Sequence, residues 1–202
     1  MSGKRLETWR AATAIAAAAL PLLALLQIAH AADINAGRQK AQVCIACHGP
    51  DGNSVNPAVP SLAAQPKQFI VTQLFLFREG DRKNPLMSPQ AANLTNADLN
   101  DLAAYFSAQA RAPLAHTTAP DKAAAGRRLT EQYHCVSCHG PALMGQQHIP
   151  RLAGQQPEYL RAQLRGFKTL TRFDMDGQMS SAAQLLSDAD IEVLADYLAG
   201  MK

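Results

Sequence analysis

Cys44-Ile45-Ala46-Cys47-His48 and Cys135-Val136-Ser137-Cys138-His139 repeat one arrangement, two thiols three positions apart followed directly by an imidazole. That spacing meets the needs of covalent haem attachment: the cysteines add across the two vinyl groups as thioethers, and the adjacent histidine lies under the iron as an axial ligand. The competing uses fit less well. A redox dithiol needs no histidine after its second cysteine and no second copy. Structural zinc takes four N/S ligands, and each stretch offers three close together. A disulfide across a two-residue gap would constrain little. The sequence therefore predicts two covalently bound haem c groups, on Cys44 and Cys47 and on Cys135 and Cys138, with His48 and His139 as iron ligands.

What fills the opposite face of each iron decides between a catalyst, whose iron is open, and an electron carrier, whose iron is closed. In the first half of the chain Met87, in the proline-flanked stretch NPLMSPQ, is the only reasonable ligand, because His116 lies well beyond. The second half offers Met144, His148, Met175 and Met179. Met144 is five residues past His139, and five extended residues reach only about 17 Å, barely enough to pass a porphyrin edge. A packing role in a small loop suits it better. His148 could reach, but its position in the first half falls near Ala58. Met175 and Met179 are both feasible, and the internal repeat pairs Met87 with Met179. A thioether is a soft, neutral ligand that favours ferrous iron and raises the potential. His/Met ligation in both halves implies low-spin haems that exchange single electrons, hence an electron-transfer protein and not an enzyme.

The elements that carry these residues also recur. CIACHGP at 44 matches CVSCHGP at 135, and VPSLAAQ at 59 matches IPRLAGQ at 149, an offset of 90–91. The register continues through Gln73/Gln163, Leu74/Leu164, Phe77/Phe167 and Arg82/Arg172, and reappears at an offset of 92 in Leu94/Leu186, Asp98/Asp190, Leu102/Leu194 and Tyr105/Tyr197. The chain is a duplicated domain, with units at 32–112 and 121–202 and a linker at 113–120. Leu99, Leu102, Ala103 and Phe106 lie at i, i+3, i+4 and i+7, the spacing of one helix face, and Ile191, Leu194, Ala195 and Leu198 repeat it. Thr95 and Asp98, like Ser187 and Asp190, form capping-box starts before these faces. KQFIVTQLFLFREG is a second helix ending near Gly80, and a shorter one precedes each cysteine pair. No run of alternating apolar residues calls for a sheet, so the fold class is all-α.

Residues 1–31 read as a signal peptide: Lys4, Arg5 and Arg10, an apolar run from Ala11 to Leu26, then Ala29-His30-Ala31 as a small-residue cleavage site. The run is shorter than a membrane span of roughly 20 residues, although an uncleaved anchor is the competing reading. Export to the periplasm follows. The segment holds three of the 19 basic and one of the 16 acidic side chains, which leaves the remainder within about one charge of neutral. That argues against nucleic acid, which calls for a strongly basic face. Two units of this size, rich in alanine and with 5% aromatic residues in the whole chain, would have thin cores, so another source of buried apolar surface is expected.

The whole pattern resembles class I cytochromes c, and its duplication the diheme cytochrome c4 type. The matching features are CIACHG and CVSCHG, PSLAAQ and PRLAGQ, FREGDR and FKTLTR, a methionine some 43–44 residues after each first cysteine, and the closing DLNDLAAYF and DIEVLADYL. The resemblance implies two tandem class I cytochrome c domains, each a bundle of short helices around a haem that supplies the missing apolar surface. It also implies that the carbonyls of Pro60 and Pro150 take the second ring N–H of His48 and His139. Arg82 and Arg172 would pair with haem propionates or stand as solvated surface residues. His134 has no counterpart and belongs to the surface, and Tyr105 and Tyr197 belong to the core. Three functions are consistent with this. The first is a periplasmic shuttle between a quinol-oxidising complex or dehydrogenase and a terminal oxidase, peripheral to the membrane through its partners. The second is a dedicated haem subunit of a periplasmic dehydrogenase. The third, a catalytic diheme enzyme such as a peroxidase, needs one iron open or bis-histidine ligated, and the first half lacks spare histidines.

Overall fold

Asp33 opens the first helix by accepting from the backbone N–H groups of Asn35 and Ala36, satisfying two donors that a helix start leaves unpaired. The computed structural model describes residues 31–202; most of the expected signal peptide, residues 1–30, lies outside them. The first repeat forms α1 (Ile34–Lys40), α2 (Ile45–His48), α3 (Lys67–Glu79), α4 (Met87–Ala91) and α5 (Asn96–Ser107). The second forms α6 (Pro120–Gln132), α7 (Cys135–His139), α8 (Pro157–Lys168), α9 (Gln178–Gln184) and α10 (Asp188–Ala199). The order of elements in one half is the order in the other. Among the described residues there is no strand, only an isolated bridge between Gln146 and Ile149, as the all-α reading requires.

Local chemistry sets the boundaries. The capping boxes expected at Thr95/Asp98 and Ser187/Asp190 are both present, with hydroxyl and carboxylate satisfying each other's backbone N–H. α3 stops at Gly80, which takes a left-handed conformation at φ 84°. Each repeat encloses its own small core. One is built from Ala41, Ile70, Leu102, Ala103, Tyr105 and Phe106, the other from Leu143, Leu160, Leu186, Ile191, Leu194 and Leu198. Gly37 on α1 meets α5 so closely that a Cβ there would run into the Asp101 carbonyl, and Gly126 on α6 meets Tyr197 of α10 in the same way. Only a residue without a side chain lets these backbones approach.

Residues 31–202 form a single compact unit. The segment between the lobes is tied to the second: His116 Nε2 lies 2.9 Å from Asp196 Oδ1, and Thr118 Oγ1 donates to the Asp196 carbonyl at 2.7 Å. α6 takes Pro120, the last residue assigned to the linker, as its first.

Candidate haem sites and the seam between the lobes

α2 and α7 are single helical turns, and a turn is what the chemistry needs. Residues at i, i+3 and i+4 share one helix face, so Cys44, Cys47 and His48 lie on one side of α2, and Cys135, Cys138 and His139 on one side of α7. None of the four cysteines is in a disulfide. Burial raises the pKa of the inner pair, Cys44 and Cys135.

Both histidines are buried, 5% and 7% exposed. His48 Nδ1 is 2.8 Å from the Pro60 carbonyl and His139 Nδ1 is 2.9 Å from that of Pro150. A carbonyl can only accept, so Nδ1 carries the proton and Nε2 keeps its lone pair. Burial holds both imidazoles below the ordinary histidine pKa, against the weaker opposing pull of the proline carbonyls. Two cysteines outside any disulfide, beside an oriented imidazole, form the donor set a covalently attached haem requires, and the residues fit the group.

Met87 and Met179 are half-buried and stand at the start of α4 and α9. Their loops are held alike. Asn84 Oδ1 accepts from the backbone N–H groups of Leu86 and Met87, both at 2.9 Å. Asp174 Oδ2 accepts from that of Met179 at 2.8 Å, while its Oδ1 takes the N–H and hydroxyl of Ser180 at 3.0 and 2.7 Å. Met175 is 74% exposed. His134 and His148 are also exposed. Met144, expected to pack within its loop, is 41% exposed instead, because the turn that carries it buries Leu143 in its place.

Arg82 and Arg172 are neither solvated nor confined to their own lobes. Arg82 donates to Gln73 of its own repeat at 2.6 Å and to Gln163 of the other at 2.9 Å; Arg172 donates to Gln163 and, at 3.1 Å, to Gln73. Each guanidinium also lies over a phenylalanine ring, Phe77 at 4.4 Å and Phe167 at 4.3 Å. Arg172 keeps a buried Nε–H with no acceptor among the described residues, and burial, then the neighbouring Arg82, bring its pKa down to about 10. With Arg82 and Lys83 it lines a polar cleft of about 170 Å³.

Gln65 and Gln155 complete the seam. Gln65 pairs with both backbone groups of Arg151, at 3.0 Å each, and Gln155 with both of Ser61, at 2.8 and 2.9 Å. Sequence reasoning used these glutamines only as register markers. Their recurrence at one offset, with no ligand role to explain it, was the available signal.

Two helical lobes, each presenting a C-x-x-C-H turn, define a diheme c-type cytochrome. The chain belongs to the cytochrome c family, whose profile matches residues 34–109 and 123–202. It is 40% identical over 181 residues to cytochrome c4 of Thiocapsa roseopersicina, covering 84% of this chain and 93% of that one. The solved structure of reduced recombinant cytochrome c4 from Pseudomonas stutzeri aligns with a TM-score of 0.78 at 34% identity, covering 85% of this chain and all of that one. A thiosulfate dehydrogenase electron acceptor of Thiomonas intermedia (strain K12) is 36% identical over 175 residues, 79% of each chain. The chain carries two covalently bound haem c groups and is an electron-transfer protein.

Proposed function

We propose that the protein is a periplasmic shuttle that takes single electrons from a quinol-oxidising complex or a dehydrogenase and delivers them to a terminal oxidase or similar acceptor. In this reading residues 1–31 direct export, and 32–112 and 121–202 each hold a haem, joined by 113–120. His48 and Met87 ligate one iron, His139 and Met179 the other. The carbonyls of Pro60 and Pro150 fix the proximal imidazoles. Each haem iron supplies a one-electron couple.

The observation that carries the reading is the clamp on the methionine loops. Asn84 and Asp174, ninety residues apart in register, hold the backbone N–H of Met87 and Met179 respectively. Among the described residues no side chain holds the Met175 N–H in this way, and Met175 is largely exposed. Neutral, rigidly presented imidazole and thioether donors favour a closed iron with little reorganisation between oxidation states. A ferric spectrum with methionine-to-iron charge transfer from both haems tests this; a high-spin component from either haem would remove it.

A second reading is a permanent haem subunit of a periplasmic dehydrogenase, favoured by the likeness to the Thiomonas intermedia electron acceptor. Isolation from native membranes and periplasm distinguishes the two: the shuttle is recovered as a free monomer, the subunit in a stable complex.

A further inference from the structure

The peptide unit that holds each proximal histidine is itself held from the opposite lobe. Pro60 contributes the carbonyl that accepts from His48 Nδ1, and the N–H of that same peptide unit belongs to Ser61. The Ser61 N–H donates to Oε1 of Gln155 in the second lobe at 2.8 Å, and Gln155 Nε2 returns to the Ser61 carbonyl at 2.9 Å. The arrangement is reciprocal. Pro150 accepts from His139, and the N–H of its peptide unit, on Arg151, donates to Gln65 of the first lobe at 3.0 Å. Gln65, Gln155, Ser61 and Arg151 are 2%, 3%, 7% and 0% exposed. Each glutamine amide closes a two-bond ring on one residue of the other lobe, and Gln155 Oε1 also accepts from the Gln156 N–H at 2.9 Å; this fixes the orientation, since a flipped amide would set N–H against N–H.

We propose that each lobe tunes the iron of the other, Gln155 acting on His48 through the Pro60–Ser61 peptide and Gln65 acting on His139 through the Pro150–Arg151 peptide. A peptide N–H that donates to an acceptor polarises its own carbonyl, strengthening it as an acceptor in turn. Such chains gain on the order of 10–30% per bond, most where water is excluded. A stronger acceptor on Nδ1–H makes Nε2 a better donor to the metal, which favours ferric iron and lowers the potential. Gln65 and Gln155 are positioning residues: neither touches a haem ligand. The inference rests on His48 and His139 as iron ligands.

The test replaces each glutamine with methionine, close in volume but without the amide, in the haem-loaded full chain: Gln155→Met and Gln65→Met. The potential of each haem is followed separately by its methyl resonances during stepwise redox titration. Gln155→Met is expected to shift the ferrous/ferric equilibrium of the Cys44/Cys47 haem toward ferrous by about threefold, about 30 mV at 59 mV per decade, leaving the Cys135/Cys138 haem in place. Gln65→Met gives the crossed result. Loosened packing would instead move the haem of the lobe that lost the side chain, or both equally, and either pattern overturns the proposal, as does no shift in both folded variants. Should a variant fail to fold, the unmutated ferrous protein decides. Through-hydrogen-bond scalar couplings from the Ser61 nitrogen to Gln155 Cδ and from the Arg151 nitrogen to Gln65 Cδ are expected, and their absence refutes the relay. Survival of the low-spin spectrum in His48→Ala would instead defeat the ligand assignment.

Discussion

Removing the Asp174 carboxylate should loosen one iron site and leave the other alone. Asp174 holds three donors at the start of α9: the Met179 N–H, the Ser180 N–H and the Ser180 hydroxyl. Two of these are first-turn backbone donors with no intrahelical partner, so Asp174→Ala resembles loss of an N-cap, about 1–2 kcal/mol. If that free energy holds Met179 in place, its loss shifts the balance between bound and released methionine by about 5- to 30-fold. An external ligand that competes with the thioether gains the same factor. Imidazole titrated into the ferric protein, followed by loss of the methionine charge-transfer absorption and by the haem resonances, measures it. The second-lobe haem should bind imidazole 5- to 30-fold more tightly in Asp174→Ala. The first-lobe haem, whose Met87 loop is held by Asn84, should be unchanged, and Met175→Leu should affect neither. Unchanged affinity at the second site, or an equal rise at both, refutes the reasoning.

Three further outcomes follow from the fold. Lys40, then Thr95, hold the Asp98 carboxyl down to about 2 from an ordinary 3.8. Because its folded pKa is depressed, Asp98 contributes stability that is fully present above about pH 4 and is lost as pH falls through about 2. Thermal melts across that interval should therefore fall less steeply for Asp98→Asn than for the parent, and equal slopes would contradict the assignment. Gly126→Ala should cost about 1–3 kcal/mol by overpacking against Tyr197, which lowers the melting temperature by about 2–4 °C per kcal/mol; an unchanged melt would show that α6 and α10 can separate freely. Cys135→Ala/Cys138→Ala, which cannot attach the second haem, should lose the cooperative melt of that lobe by circular dichroism, since its core is small and the haem supplies much of its apolar surface; a retained sharp transition would show that the core suffices.

Much of this was legible because the chain states it twice. The capping boxes and the C-x-x-C-H turns follow from local patterns checked against a second copy, whereas the helix end at Gly80 rests on the glycine alone, since the second copy has Leu170 there. The proline carbonyls came only from family resemblance, since nothing in the residue types of Pro60 or Pro150 says where a carbonyl points. The lobe seam was missed for a different reason. Gln65, Gln155, Gln73 and Gln163 have no periodicity or ligand chemistry, and an amide shows its use only when a partner is seen across space. Arg82 and Arg172 were singled out by their recurrence, but a sequence cannot tell a guanidinium aimed at a neighbouring lobe from one in solvent.

The duplication and the seam explain each other. A face that pairs with its own copy about a two-fold arrangement makes every contact twice, with residue i meeting j and j meeting i. That is the pattern of Arg82 with Gln163 and Arg172 with Gln73, and again of Gln65 with residue 151 and Gln155 with residue 61. One modestly favourable exchange in the ancestral unit is therefore doubled on duplication, whereas an asymmetric contact would arise only once. The departures from symmetry are then informative. Arg151 stands where the first repeat has Ser61, is fully buried, and donates to the carbonyls of Ala63 and Ala153, one from each lobe, with no ion-pair partner among the described residues. Burial, then Arg111, lower its pKa to about 10. Ala63 and Ala153 are equivalent positions of the two repeats, so the guanidinium bridges matching carbonyls of both lobes, a contact that Ser61 cannot make a second time. The doubled contacts and this single bridging cation together close the seam from both lobes.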